Sequence, residues 1–288
     1  MNLVIVLLIV CFVVIFVYSQ VWRDGRVEAF TDLYKIPDDE FDKQYVDMYD
    51  IVWVDKDQTE RIVREIDNMI LSKYRKKDVK ILDLGCGIGY YNNYFGLLGY
   101  SSVGVDKSKN MLRKGMMYFP KDTLIRGNMT THKLFKEKEF THIYVGDNVL
   151  NSLKHKDISK VLKNCYYWLK NKGYLIVNMK DVNKLDYFPE TYSQFYIDDK
   201  GNKHSFTYFK NFLYDRFYLK NEDSDIYTML EKVVLNNGKK RIIKRELTIP
   251  KREELVRLIE KNGFVHSGNI DCDNVKRGNG FDIMFFRK

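Results

Sequence analysis

Alanine is almost absent: Ala29 is the only one in 288 residues, while Lys, Asn, Ile and Tyr abound. This avoidance of GC-rich codons fits an AT-rich genome, such as that of a parasite or a large DNA virus, and carries no mechanism. Proline is scarce, with four residues, so it breaks few helices or strands. The four cysteines, Cys11, Cys86, Cys165 and Cys272, have the spacing of neither a zinc site nor a disulfide framework. Lone thiols in a reducing compartment account for them, and no metal is expected. There is no internal repeat and no low-complexity stretch. A hydrophobic content of 45% with 15% aromatics excludes disorder over most of the length.

The formal net charge is +9. It favours anionic partners such as nucleic acid or anionic lipid, although a solvated lysine surface is the simpler account. The longest apolar run, residues 3–18, carries no charge and reaches about 20 residues with Val21 and Trp22, enough at ~1.5 Å per residue to span a bilayer core. Arg23 and Arg26 follow at once. No basic residue precedes the run and no small-x-small cleavage site follows it, which disfavours a cleaved signal. A single-pass membrane protein is expected, with residues 1–23 as a transmembrane anchor and the rest on the cytoplasmic side, in a virion or host membrane if the source is viral.

Residues 24–78 read as an N-terminal helical lid segment. Within it "TERIVREIDNMILSKYR" places Ile62, Ile66, Met69 and Ile70 on one helical face, with Thr59 as its cap. From residue 79 to 186 short apolar strands alternate with amphipathic helices: "VKILDL", "SVGVD", "TLIRGN", "THIYVGDNVL" and "GYLIVNMKD" are the strands. That alternation predicts a parallel sheet with helices on both faces. Residues 187–248 are rich in Tyr, Phe and Thr and carry turn signals at "DDKGNK" and "NNGKKR", so they read as an antiparallel β insertion after the fifth strand, suited to be a substrate lid. Residues 249–288 supply a closing helix between Pro250 and Gly263 and a last strand, "GFDIMFFRK".

"ILDLGCGIGYY" is a strand, a glycine-rich turn and a helix start, which together form an anion or nucleotide cradle. Gly85, Gly87 and Gly89 form G-x-G-x-G, not the G-x-G-x-x-G of dinucleotide sites, and no Gly-Lys-Ser/Thr follows. NAD and a phosphate loop are both disfavoured. Asp106 ends the second strand, where its two oxygens can accept both hydroxyls of a ribose. Asn128, in "RGNM", is placed to bond an adenine amino group with Met129 against the ring; a plain turn asparagine is an equal reading.

Taken in order, "LDLGCGIG", "VGVDKS", "RGNM", "THIYVGDNVLNSL" and "LKNKGYLIV" resemble the motifs of class I S-adenosylmethionine-dependent methyltransferases. The resemblance is close over residues 45–180 and loose elsewhere. It implies an α/β, Rossmann-like doubly wound and mostly parallel seven-stranded sheet, closed by an antiparallel hairpin. It implies S-adenosylmethionine as cofactor: Asp83 and the backbone of Gly85 and Gly87 at the methionine moiety, Asp106 at the ribose, Asn128 and Met129 at the adenine, with Cys86, Gly89 and Lys107 also among the cofactor-binding residues. Tyr45 and Tyr49 resemble the aromatic segment that lids the cofactor, with core packing as the alternative.

One feature departs from the family, and two signatures of particular substrate classes are absent. Thr141 and His142 stand where many relatives carry Asp. The Asn/Asp-Pro-Pro-aromatic signature of amino-group methylating nucleic-acid enzymes is replaced by "GDNV", and the paired-glutamate loop of arginine methyltransferases is missing. Asp147, at the carboxyl edge of the fourth strand, is the candidate general base, or else a turn cap; Asn148 and Asn151 are candidates to orient the acceptor. His155 and His204 are expected at the surface. Lys239, Lys240, Arg241, Lys244 and Arg245 make a basic hairpin facing anionic lipid, RNA or solvent. The expected function is methyl transfer at a membrane to a small molecule, lipid headgroup or protein. A catalytically inactive cofactor-binding scaffold and an RNA methyltransferase are the alternatives.

Overall fold

The computed structural model describes residues 41–146, 149–180, 194–197, 203–220, 226–238, 240–271 and 281–288. The leader of residues 3–18 lies outside them, and among the described residues no helix is long and apolar enough to cross a membrane. The chain opens with α1 (Lys43–Val52) and α2 (Lys56–Met69), then alternates β1 (Lys80–Leu84), α3 (Tyr90–Leu97), β2 (Ser101–Asp106), α4 (Lys109–Tyr118), β3 (Leu124–Arg126), β4 (Phe140–Val145), α5 (His155–Trp168) and β5 (Leu169–Lys180). Strands β6 (Gln194–Ile197), β7 (Lys203–Tyr208), β8 (Phe212–Lys220), β9 (Ile226–Leu235) and β10 (Lys240–Thr248) follow, then α6 (Arg252–Lys261), β11 (Val265–Asp271) and β12 (Phe281–Arg287).

Seven strands form one sheet in the order β11-β12-β5-β4-β1-β2-β3. The five from β5 to β3 run parallel, and β12 is antiparallel to both β5 and β11. Each parallel pair needs a crossover, so successive residues of a strand face opposite helical layers. Leu82, Leu84, Ile143, Val145, Leu175 and Val177 point to the layer of α5 and α6, against Ile158, Leu162, Trp168 and Ile259. Ile81, Tyr144 and Ile176 point to the other layer, against Ile62 and Ile66 of α2 and Phe95 of α3. Burying each large apolar side chain is worth roughly 1.5–3 kcal/mol, so this two-sided alternation is what holds the parallel strands together. The sheet is the Rossmann-like, mostly parallel one, and its order reverses between β1 and β4, which places the cleft at the carboxyl ends of β1 and β4.

The remaining strands form a separate sheet, β10-β9-β8-β7-β6, each antiparallel to its neighbour. The β9–β10 turn uses Gly238 at φ 81°. One helix start differs from expectation. Asp55 caps α2 by accepting from Gln58 N at 2.9 Å, and Thr59 lies inside the helix with its hydroxyl donating to Asp55 O at 2.8 Å. Ser108 caps α4, accepting from Met111 N at 3.3 Å.

His142 of β4 is buried, with Nδ1 2.9 Å from Thr141 Oγ1, its ring stacked on Tyr174, and Nε2 without a hydrogen-bond partner. Burial pushes its pKa down from 6.5 to about 4. The unfolded chain therefore takes up this proton near pH 6.5 and the folded chain only near pH 4, so stability present above pH 6.5 is lost as pH falls between the two. At ~1.4 kcal/mol per tenfold difference in proton affinity, the loss reaches about 3 kcal/mol by pH 4. Urea unfolding of His142→Phe should show a flatter stability profile than wild type from pH 6.5 to 4; parallel profiles would contradict this.

Candidate functional site

The turn after β1 is lashed down by its own backbone. Gly85 N and Cys86 N both donate to Val105 O, at 2.8 and 3.0 Å, which ties the turn to β2. Asp83 is buried in β1 and accepts from Asn92 N at 3.1 Å, tying the strand end to the first turn of α3. Gly87 has φ 56°, and a Cβ built on it would meet no protein atom within 4 Å. The turn there is open on the cleft side, a cradle that a side chain would fill. Gly115 is the opposite case: a Cβ would stand 2.2 Å from Ile88 O. Only glycine lets α4 lie directly against the turn.

Asp106 closes the other side. Its Oδ2 accepts from Gly87 N at 3.0 Å and its Oδ1 from Ser108 N at 2.8 Å. Desolvation pushes its carboxyl up, while the N–H groups of Ser108, Gly87 and Lys107 and the Lys107 charge pull it down, the net direction being upward. These bonds orient the carboxylate, and a carboxylate has acceptor capacity beyond them for a hydroxyl ligand. Lys107 is exposed, and its carbonyl accepts from Arg126 Nε at 3.2 Å. Cys86 sits between the carboxylates: burial first, then Asp83 and Asp106, push its thiol well above the ordinary range, so it is no thiolate nucleophile. Cys165 is buried and unreactive by the same argument.

At the end of β3, Asn128 Oδ1 accepts from Thr130 N at 3.0 Å and Thr130 Oγ1 at 2.9 Å. Its carbonyl is thus committed to a turn. This is the turn geometry that the sequence equally allowed, and the amide N–H₂ remains a donor. Met129 reaches across to the glycine turn: a Cβ on Gly85 would stand 3.4 Å from Met129 Cε and 2.7 Å from Val149 Cγ2. Val149, which follows β4, was given no role by sequence pattern, since its approach to Gly85 is a contact between distant segments.

The acceptor-side candidates separate. Asp147 and Asn148 lie outside the described residues. Asn151 is buried, and its Nδ2 donates to Thr248 O at 3.1 Å, pinning the loop after β4 to β10. Tyr49 is half-buried on α1, its ring 6.4 Å from that of Tyr45. Tyr45 is buried and bonded to Glu231, which is core packing. His155 is exposed. His204 is not at the surface: it is buried, stacked on Phe217 at 4.3 Å, with Nδ1 3.7 Å from Asp215. The basic hairpin is divided by strand alternation. Arg241 pairs with Asp42 at 2.7 Å and Arg245 with Glu231 at 2.7 Å, both turned inward, while Lys240 and Lys244 are exposed. Lys239 lies outside the described residues. Among the described residues no group of three or more His, Cys, Asp or Glu could hold a metal ion.

The contrast between two glycines is testable by urea unfolding. Gly87→Ala should cost only about 1 kcal/mol, the price of a left-handed alanine, whereas Gly115→Ala should cost about 2–3 kcal/mol by forcing α4 off the turn. Equal losses would contradict the geometry described.

Residues 82–177 match the model of a methyltransferase domain. An uncharacterized protein of Methanocaldococcus jannaschii is 34% identical over 119 residues, 41% of this chain and 48% of that protein, so the chain spans about half the length of this curated relative. Among solved structures, an S-adenosylmethionine-dependent methyltransferase from Clostridium acetobutylicum superposes with a TM-score of 0.64 at 18% identity, covering 85% of this chain and 97% of that one. An amino pentose methyltransferase from Micromonospora echinaspora, solved with S-adenosylmethionine bound, gives 0.58 at 17% identity, covering 81% and 91%. Glycine turn, the acid at the end of β2 and strand order agree with these likenesses: residues 82–177 match a methyltransferase domain, and the chain shares the fold of these solved methyltransferases.

Proposed function

We propose that this chain transfers a methyl group from S-adenosylmethionine to a nucleophilic atom of a small molecule. The observation that carries the reading is Asp106: a carboxylate at the end of β2, oriented by the backbone N–H groups of Gly87 and Ser108, beside a turn left open at Gly87. The residues fit the cofactor. Asp106 would hold the ribose, the turn of residues 85–89 the methionine end, and Met129 with the Asn128 amide the adenine.

When bound, the cofactor supplies a methyl group on an activated sulfonium leaving group. What remains for the chain is alignment and exclusion of water. Val149 and Met129 line the turn with apolar surface, and Asn151 fixes the loop after β4 against β10. In this reading Asp147 takes the acceptor's proton where the nucleophile carries one at neutral pH, and Asn148 helps to orient the acceptor. The small-molecule class is supported by the fold likeness extending beyond residues 82–177 to a methyltransferase named for an amino pentose. It is supported too by the inward pairing of Arg241 and Arg245, which leaves less basic surface for RNA. Residues 3–18, uncharged throughout, would tether this activity to a membrane.

The test is labelled-methyl transfer by the full chain into small-molecule, lipid, protein and RNA fractions of an extract, with Asp106→Ala alongside. Label should enter the small-molecule fraction and fall at least 30-fold in Asp106→Ala. Cofactor binding without transfer into any fraction would favour a scaffold, and label in RNA would overturn the acceptor class.

A further inference from the structure

The antiparallel sheet reaches the glycine turn through α1. One face of α1 packs Tyr45 and Met48 against Phe212, Tyr214, Val233 and Ile243 of that sheet. The other seats Val46 on Ile88, Tyr90 and Met111. Ile88 belongs to the turn, Tyr90 opens α3, and Met111 lies in the first turn of α4, just beyond Asp106. Polar contacts reinforce this second face. Lys114 Nζ donates to Val46 O at 2.8 Å and pairs with Asp50 at 3.1 Å, and Asn110 Nδ2 donates to Phe41 O at 3.1 Å. α1 therefore rests on the elements that carry both halves of the cofactor site.

On the sheet side the grip is a buried polar network around Glu231, which is 0% exposed. Tyr45 O–H donates to Glu231 Oε1 at 3.0 Å, and Tyr214 O–H donates to the same oxygen. Arg245 Nη1 donates to Glu231 Oε2 at 2.7 Å and to Tyr45 Oη at 3.0 Å, and Trp53 Nε1 donates to Tyr45 Oη at 2.9 Å. Asp42, the N-cap of α1, accepts from Tyr45 N at 2.9 Å and from Arg241 Nη1 at 2.7 Å. Desolvation holds both phenols far above their ordinary range, so they remain donors. A buried network of this kind holds its members in one arrangement or leaves a charge poorly compensated. That gives α1 one discrete seat on the sheet.

We propose that Glu231 is a positioning residue for the cofactor, acting through Tyr45 and α1 on the turn of residues 85–89. The inference rests on the cofactor reading of that turn. Its consequence is that ligand at the turn stiffens β8–β10, which it does not touch, and that the sheet in return sets cofactor affinity.

The experiment uses the full chain with S-adenosylhomocysteine as probe, by calorimetry and amide hydrogen exchange. In wild type the probe should slow exchange at β1 and β2 and also across β8–β10. Tyr45→Phe keeps the ring and removes the hydroxyl. It should raise the dissociation constant threefold or more and abolish the protection across β8–β10, while protection at β1 persists. A merely structural role would lower the unfolding midpoint without moving affinity, so a change of less than threefold overturns the proposal, as does a wild type with no protection across β8–β10. Trp53→Phe, which removes one donor to Tyr45, carries the same test if Tyr45→Phe does not fold. A wild type that binds no probe at all refutes the cofactor reading itself, which is a different result from Tyr45→Phe binding as wild type does.

Discussion

The hydrogen bond from Gly87 N–H to the Asp106 carboxylate joins the turn after β1 to the end of β2, and the rest of the site is arranged around it. It requires the turn to fold back over β2, which the two N–H bonds to Val105 O accomplish. It also requires an acid whose side chain is held still, and Ser108 N does that from the start of α4. A carboxylate so fixed is pre-organised: binding a diol there orders little that is not already ordered. The helices α3 and α4 both begin at this point, so their positive ends converge on it as well.

Much of this was legible in the chain. A strand ending in Asp83, glycines at alternate positions and an acid at the end of the next strand are local patterns, and each follows from backbone conformation or from strand and helix periodicity. What escaped the sequence was non-local or a matter of which lone pair is in use. Val149 touches the turn from more than sixty residues away in the chain, which no spacing announces. Asn128 follows β3, and its side-chain oxygen accepts two bonds from Thr130, which motif order does not announce. Thr59 and Asp55 are both good caps four residues apart, and the apolar stripe of α2 fits either start; the structure begins the helix at Asp55. The basic hairpin looked like a surface patch because charge was counted along the chain. The two-residue alternation of β10 turns Arg241 and Arg245 to the α1 side, where acids meet them.

The same alternation gives the antiparallel sheet its connection to the site. Glu231, Arg245, Tyr214 and Tyr45 come from four separate segments, and none would stay buried with its charge or hydroxyl unless the others were present. The insertion is thus joined to the cofactor domain by a polar seat at α1 and by the Asn151–Thr248 bond near β4.

The central claim is that a sulfonium nucleoside lies across the carboxyl ends of β1 and β2 with its sugar held by one acid. A crystal structure of the full chain grown with saturating S-adenosylhomocysteine tests it most directly. The account predicts both ribose hydroxyls within hydrogen-bonding distance of the two Asp106 oxygens and the amino-acid end of the ligand against the turn at Gly85 and Gly87. A ligand bound elsewhere, or a ribose turned away from Asp106, would contradict it.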